Sequence, residues 1–314
     1  MLSPTVYQGA TELRHLGVIR ARGADAASFL QGQLTNDVLT LGPERARLAG
    51  FCSAKGRLQA SFVVVRPTPD ELLLICAADL LAPTSKRLSM FVLRAKCKLD
   101  DASTELPLLG LCGAGLVPAG AGPWQVHDSA LGKTIRVPDA AGQPRCIVIG
   151  ASGAALPDSP ALPRDTWRWL DLQAGLPLIE AATVDKFVPQ MLNFEIVGGV
   201  DFKKGCYPGQ EVVARSQYRG TIKRRMFLFD VDVDAGVAIA PGTEIFDARD
   251  PGQPAGMVVN AAPNPARGFS SLAEVKLAFV VDGTQQLRLG SANGPALTLL
   301  ALPYAVPREA VEVP

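Results

Sequence analysis

Apolar residues recur along the first hundred positions with two different periods, and each period predicts its own element. Leu16–Arg22 has the pattern of a short strand. Gly23-Ala24-Asp25 then opens a predicted helix over Ala26–Gln33, with Phe29 and Leu30 on its apolar side. Phe62–Val65 and Leu72–Ile75 read as buried strands joined by a Pro67-Thr68-Pro69-Asp70 turn. Asp79–Leu93 takes helical spacing through Leu80, Leu81, Leu88, Phe91 and Val92, and a strand around Lys96–Asp100 follows. That order predicts an α+β unit with helices on one face of a sheet.

Two stretches then break the pattern. Gly113–Pro123 consists almost wholly of Gly, Ala, Pro, Leu and Val, and Ala151–Pro163 is proline-rich and aperiodic, so both read as connections. Cys146–Ile149 between them is a predicted strand, and Asp165–Gln173 a predicted helix with Asp165 as its N-cap. Beyond Met226 the period shortens. Phe227–Val233, Thr243–Phe246, Gly256–Asn260, Leu272–Leu277, Gln286–Leu289 and Ala296–Leu302 are short strand-like runs separated by turn residues. They predict a small all-β barrel or sandwich. The expected division is a core over residues 1–225 and a β domain over 226–314.

Composition narrows the functions available. The 314 residues hold 31 Lys+Arg against 30 Asp+Glu, a net charge of +1, and are 48% apolar. Such a chain buries enough surface to fold, and its weak overall field argues against a general nucleic-acid binder, DNA included. No apolar run approaches the ~20 residues of a membrane span, and Met1–Gly17 has no signal-peptide core. The six cysteines are widely spaced and only two histidines accompany them, so no metal-ligand cluster is expected. The inventory is that of a reduced, cytoplasmic chain.

One segment stands apart: Asp201-Phe202-Lys203-Lys204-Gly205-Cys206-Tyr207-Pro208-Gly209-Gln210-Glu211-Val212-Val213-Ala214-Arg215. Gly205 permits a tight backbone, and Pro208 suits the first turn of a helix that Gln210 and Glu211 continue. Cys206 is thereby expected just before a helix N-terminus, beside Lys203 and Lys204. Dipole and cations together favour its thiolate, with a pKa below the free value of ~8.5. Residues 203–225 contain seven basic residues against Glu211 alone, a net +6, which leaves −5 for the remainder. A block of that kind is either a solvated charge run or an anion site, and its place beside Cys206 favours the anion site.

At these residues the chain resembles a known family. Lys204-Gly205-Cys206-Tyr207-Pro208-Gly209-Gln210-Glu211 is similar to the K-G-C-Y-x-G-Q-E signature of the YgfZ proteins, relatives of the aminomethyltransferase of the glycine cleavage system. Four further segments agree in type and order. They are Phe29–Val38, Cys52–Arg57, Trp167 through Ala174-Gly175-Leu176-Pro177, and Val188-Pro189-Gln190 with Asn193. The resemblance implies two α+β lobes and a C-terminal antiparallel β-barrel around a central funnel that holds tetrahydrofolate. It implies assembly or repair of [4Fe–4S] clusters in client enzymes, among them radical-SAM enzymes that modify tRNA, by a protein that is monomeric.

The same resemblance suggests roles. Cys206 is the reactive thiol, with Lys204 lowering its pKa. Trp167 stacks on the pterin and Glu180 bonds its edge. Tyr207, Gln210, Glu211 and Arg215 shape the turn and the helix behind it and complete the candidate folate-binding set, with the glutamate tail of the folate directed toward the basic block. There are two departures. Leu16 occupies the place of a family tryptophan linked to folate, and Gln59 and Ala60 stand where aminomethyltransferases carry an aspartate. The absent acid counts against the alternative, a folate-dependent one-carbon transferase or demethylase acting on a small amine. A third reading, an RNA-binding module on residues 203–225, has only Tyr207 and Tyr218 for base stacking.

Overall fold

Short apolar runs separated by turns build this chain mostly from antiparallel strands. A computed structural model describes residues 6–153, 155–219, 222–233, 239–281 and 286–307. The first part holds β1 (Gly9–Glu12), β2 (Leu16–Arg22), α1 (Ala26–Gln31), β3 (Ala46–Cys52), β4 (Leu58–Thr68), β5 (Glu71–Ala77), α2 (Ala78–Val92) and β6 (Lys98–Asp101). Then come β7 (Leu108–Cys112), β8 (Val126–Ser129), β9 (Gly132–Ala140), β10 (Gln143–Gly150), α3 (Arg164–Gln173) and α4 (Gln210–Tyr218). The last part holds β11 (Arg224–Val231), β12 (Glu244–Asp247), β13 (Asp250–Pro263), β14 (Phe269–Lys276), α5 (Leu277–Val281), β15 (Leu287–Leu289) and β16 (Leu297–Leu300). Among the described residues no helix is long and apolar enough to cross a membrane.

The strands form three sheets: β3-β4-β5-β2-β6, β1-β7-β10-β9-β8, and β15-β12-β13-β14-β11-β16. The third curls, and an isolated bridge joins Arg288 to Ala296 beside its two edge strands. Several predicted strands are recovered with longer ends, whereas β15 and β16 are shorter than the runs 286–289 and 296–302 that predict them. Pro67 and Thr68 belong to β4 rather than to the turn, because a register shift between Val65 and Thr68 spares the ladder a missing proline N–H. Asp165 is a correction: α3 begins at Arg164 after Pro163, so Asp165 lies inside the first turn, where its charge favours the helix without capping it.

Helix α3 joins the second and third sheets. Its two indoles point to different neighbours. Trp167 lies on β7 over Gly110, where an added Cβ would fall 2.6 Å from the ring. Trp169 donates from Nε1 to Ser270 Oγ on β14 at 3.0 Å, and its ring meets that of Tyr7 at 5.1 Å. After Gly175 the chain threads between the first and third sheets. The Ile179 N–H donates to Ser61 Oγ on β4 at 2.9 Å. Asn260 on β13 accepts from the Leu178 N–H at 2.9 Å and donates to Leu178 O and Glu180 Oε2 at 2.8 and 2.9 Å. One core cluster consequently draws on all three sheets, with Val18, Ile147 and Leu228 among its members.

Asn260 is buried, so its amide has no water to fall back on. Replacement of Asn260 by Ala should lower the unfolding free energy by about 1–3 kcal/mol, since it strands both Leu178 backbone groups. Urea denaturation reads this as a shifted midpoint, and an unchanged midpoint would show that the bridge contributes nothing.

Candidate functional site

Residues of the first two sheets that face each other leave a narrow apolar chamber of about 80 Å³. Its walls include Leu16, Leu48, Phe62, Val63 and Ile75 from the first sheet, Val137 and Ile147 from the second, and Leu176-Pro177-Leu178 from the thread after α3. Trp124, Ser61 and Asp171 complete it. Trp124 and Leu176 also line a wider outer chamber of about 720 Å³, bounded by Arg136, Pro138, Asp139, Gly198 and Tyr304 among others, so the two meet at those side chains.

Trp124 is held in an unusual backbone state. Its φ is +66°, a region costly for a bulky side chain, and the surroundings enforce it. The Trp124 N–H donates to Arg136 O at 2.6 Å, and its carbonyl accepts from the Ala46 N–H at 2.8 Å. Backbone of the first sheet and of the second thus grips the residue from both sides. Asp171 is fixed from behind. Arg145 Nη1 donates to Asp171 Oδ1 at 2.7 Å, and the Arg145 side chain is 0% exposed. The guanidinium carbon lies 5.0 Å from the Trp167 ring centroid. Chemically, the chamber offers an indole face and one carboxylate in an apolar slot, which suits a flat ring that carries hydrogen-bond donors.

The signature segments other than the one from Trp167 to Pro177 meet elsewhere, in the region of Cys206. Thr35 Oγ1 donates to Gly199 O at 2.6 Å, and Asn36 Nδ2 donates to Gly198 O at 2.7 Å. Lys204 Nζ donates to the carbonyls of Gln31 and Leu34 and lies 5.2 Å from the Tyr207 ring centroid. Burial lowers the Lys204 pKa to about 8, against the opposing pull of Asp37, Asp201 and Cys206. Gln190 Nε2 donates to Val213 O at 2.8 Å, which ties the 188–193 segment to α4. Cys206 is exposed. Of the other thiols, burial pushes Cys52, Cys76 and Cys146 up to about 12 and Cys112 to about 11. Such thiols are poor nucleophiles.

The expected site residues are placed as follows. Trp167 is 0% exposed and has no face to offer a ligand. Glu180 is occupied by Asn260 and by Arg168, 3.4 Å away, and does not line either chamber. Tyr207 is buried under Lys204, and neither it nor Gln210, Glu211 or Arg215 reaches a chamber wall. The helix starts at Gln210, so Pro208 precedes it and Cys206 lies four residues before its first turn. The basic block also divides. Arg224 pairs with Glu274 at 2.8 Å and Arg225 is buried against Glu195, leaving Lys203, Arg215, Arg219 and Lys223 exposed. None of the residues of the block lines the outer chamber. Trp124 and Asp171 were missed. Trp124 lies beside a loop-like stretch, and Asp171 looks like any polar position on an amphipathic helix; only the three-dimensional chamber singles them out.

Comparison with known proteins follows the same lines. No family model matches the chain. The tRNA-modifying protein YgfZ of Colwellia psychrerythraea is 34% identical over 236 residues, covering 71% of this chain and 72% of the relative. The protein of that name from Edwardsiella ictaluri is 34% identical over 236 residues, 67% of each chain. In solved structures, the glycine cleavage system aminomethyltransferase T of Bartonella henselae matches with a TM-score of 0.70 at 17% identity, over 96% of this chain and 87% of that one. That likeness is one of fold.

The turn before α4 yields a prediction. Gly209 has φ +77°, and an added Cβ would fall 2.3 Å from Ser53 O and 2.6 Å from Gly56, whereas Gly205 has open space. Gly209→Ala should cost about 1–3 kcal/mol of stability. Gly205→Ala should stay within about 0.5 kcal/mol. Thermal or urea unfolding of the two variants separates these outcomes, and equal stability would mean that the contact with the 53–56 turn is not maintained.

Proposed function

The chain belongs to the YgfZ family, and on that footing we propose that it binds tetrahydrofolate and supports assembly or repair of [4Fe–4S] clusters in client enzymes, including those that modify tRNA. The observation that carries the folate part is the pairing of Trp124 with Asp171 in an otherwise apolar slot. An indole face accepts a flat pterin and a carboxylate accepts from its ring donors, so these side chains suit a ring that rests at Trp124, where the inner chamber opens into the outer one. The wider outer chamber takes the remainder of the molecule. Bound folate supplies a one-carbon carrier; the chain supplies orientation and exclusion of water. Trp167 backs the wall through Arg145 instead of stacking on the ligand.

Cys206 is the thiol through which client chemistry proceeds, and the exposure of that one sulfur beside Lys203 and Lys204 supports this role. The alternative, a one-carbon transferase acting on a small amine, needs a group that moves a proton beside the folate. Gln59 donates to Asp185 Oδ2 at 3.3 Å, and neither residue lines the inner chamber. Asp171 is engaged with Arg145 and serves as a fixed acceptor.

Titration with tetrahydrofolate should quench tryptophan fluorescence saturably in the wild type and in Trp167→Phe, and the quench should be largely lost in Trp124→Phe. Absence of saturable binding to the wild type overturns the folate reading. In a strain lacking its own copy, Cys206→Ala should retain folate binding and fail to restore activity of cluster-dependent tRNA-modifying enzymes. Full restoration removes the thiol from the mechanism.

A further inference from the structure

Large apolar side chains are exposed at eight positions among the described residues, and three of these, Met90, Phe91 and Leu93, fall within four residues at the end of α2. The inner face of the helix is already buried through Leu80, Leu81 and Leu88, and no core cluster includes the three that follow. Leu93 is 88% exposed and takes φ +46°, a region costly for a bulky side chain. A glycine would end the helix there without that strain, so folding alone does not call for leucine.

The surroundings are basic. Between Leu80 and Leu99 the chain carries Lys86, Arg87, Arg94, Lys96 and Lys98 and no acidic residue, a net +5. All five are exposed. Among the described residues none of them forms an ion pair, and the acid that follows, Asp100, is engaged by Arg20 and Arg22. Arg87 lies over the Phe91 ring, 5.2 Å from its centroid. An apolar centre of Met, Phe and Leu with a cationic rim is the composition of a protein-binding surface, and the charge of that rim sets the sign of its partner.

The patch and Cys206 adjoin opposite ends of α1. The Asp25 N–H donates to Lys96 O at 3.2 Å and the Lys96 N–H to Asp25 Oδ2 at 2.7 Å, which seats the turn after α2 at the start of α1. At the other end, Lys204 Nζ donates to the carbonyls of Gln31 and Leu34, two residues before the thiol. The six residues of α1 between these attachments span about 9 Å of helix axis. An extended segment of about ten residues is long enough to touch both.

We propose that the end of α2 is the docking surface for the client protein on which Cys206 acts, and that it takes an acidic segment bearing apolar side chains. This rests on the client reading above and adds to it the place where the client is held. RNA and anionic lipid fit less well. Met90 and Leu93 gain nothing from phosphate, and the one exposed ring, Phe91, has a face covered by Arg87 and is poorly placed to stack on bases. A lipid surface offers no substrate to the thiol at the far end of α1.

The probe is the purified apo form of a cluster-dependent tRNA-modifying enzyme whose activity Cys206→Ala fails to restore, and its binding to the full-length protein is read by interferometry. Wild type should bind it, with an affinity that falls as salt is raised. Met90→Ser/Leu93→Ser and Arg87→Glu/Arg94→Glu should each weaken binding about 10-fold or more. Both should fail to restore the enzyme in the strain lacking its own copy, while folate binding is unchanged. All four side chains are exposed, so the urea midpoint should hold. Absence of wild-type binding overturns the proposal, and so do wild-type affinity and full restoration in both variants; each leaves the role of Cys206 standing. Binding of tRNA or of phosphatidylglycerol vesicles through these residues, in place of the enzyme, overturns the choice of partner. If Cys206→Ala restores activity, the client reading falls and this proposal with it.

Discussion

A guanidinium taken wholly out of water must find partners for its donors and a charge to balance its own, and in this chain the residue that faces that demand is Arg145. Its side chain is fully buried at the point where β10 meets α3, and the demand is met by Asp171, the Pro138 carbonyl and the face of Trp167. Each partner is thereby fixed in turn. Asp171 and Trp167 belong to one helix, so the pair sets the rotation of α3 against the second sheet. With α3 so rotated, Trp169 meets Ser270 on the third sheet, and the chain after Gly175 is directed between Ser61 and Asn260. The chamber is the space that this arrangement leaves, with Asp171 on its wall. Removal of one partner would leave a buried charge uncompensated, so the pair is a constraint on geometry more than a source of net stability.

The signature segments serve a second constraint. Three of the signature segments meet one another or their neighbours through backbone carbonyls: Lys204 on Gln31 and Leu34, Thr35 and Asn36 on Gly199 and Gly198, Gln190 on Val213. Gly209 lies so near Ser53 and Gly56 that no side chain fits. The result is a tightly docked loop that nonetheless leaves Cys206 exposed. The segment from Gly198 to Cys206 runs from the wall of the outer chamber to that thiol, so the two candidate functional features share one stretch of backbone.

What the sequence made legible was local. Strand runs, α2, α3 and the helix after the cysteine follow from period and turn residues, and their positions hold to within a few residues. Errors arose where a residue's neighbours come from distant parts of the chain. Gly205 has the composition of a tight turn, yet it is Gly209 that takes the left-handed conformation, because the 53–56 turn presses on it. Trp167 sits in a motif associated with folate, yet Gly110 on β7 provides a seat that buries it. Trp124 carries no motif at all; its importance comes from Arg136 and Ala46, which hold it at φ +66° between two sheets. Two of the seven basic residues of the apparent cluster, Arg224 and Arg225, are likewise taken up by Glu274 and Glu195.

The chamber's chemistry also bears on how far the shared fold implies shared catalysis. An aminomethyltransferase must move a proton near its folate, and a carboxylate does this well when its pKa can be tuned toward neutrality. Among the described residues Asp171 is the only ionisable side chain on the inner chamber wall, and it is already engaged by the buried Arg145 guanidinium. Gln59, where the related enzymes carry an acid, is an amide. If the slot holds the ring as proposed, its apolar walls would orient the ring and keep water from it. In the proposed function, chemistry on a client protein is assigned instead to Cys206, which is exposed and lines neither chamber.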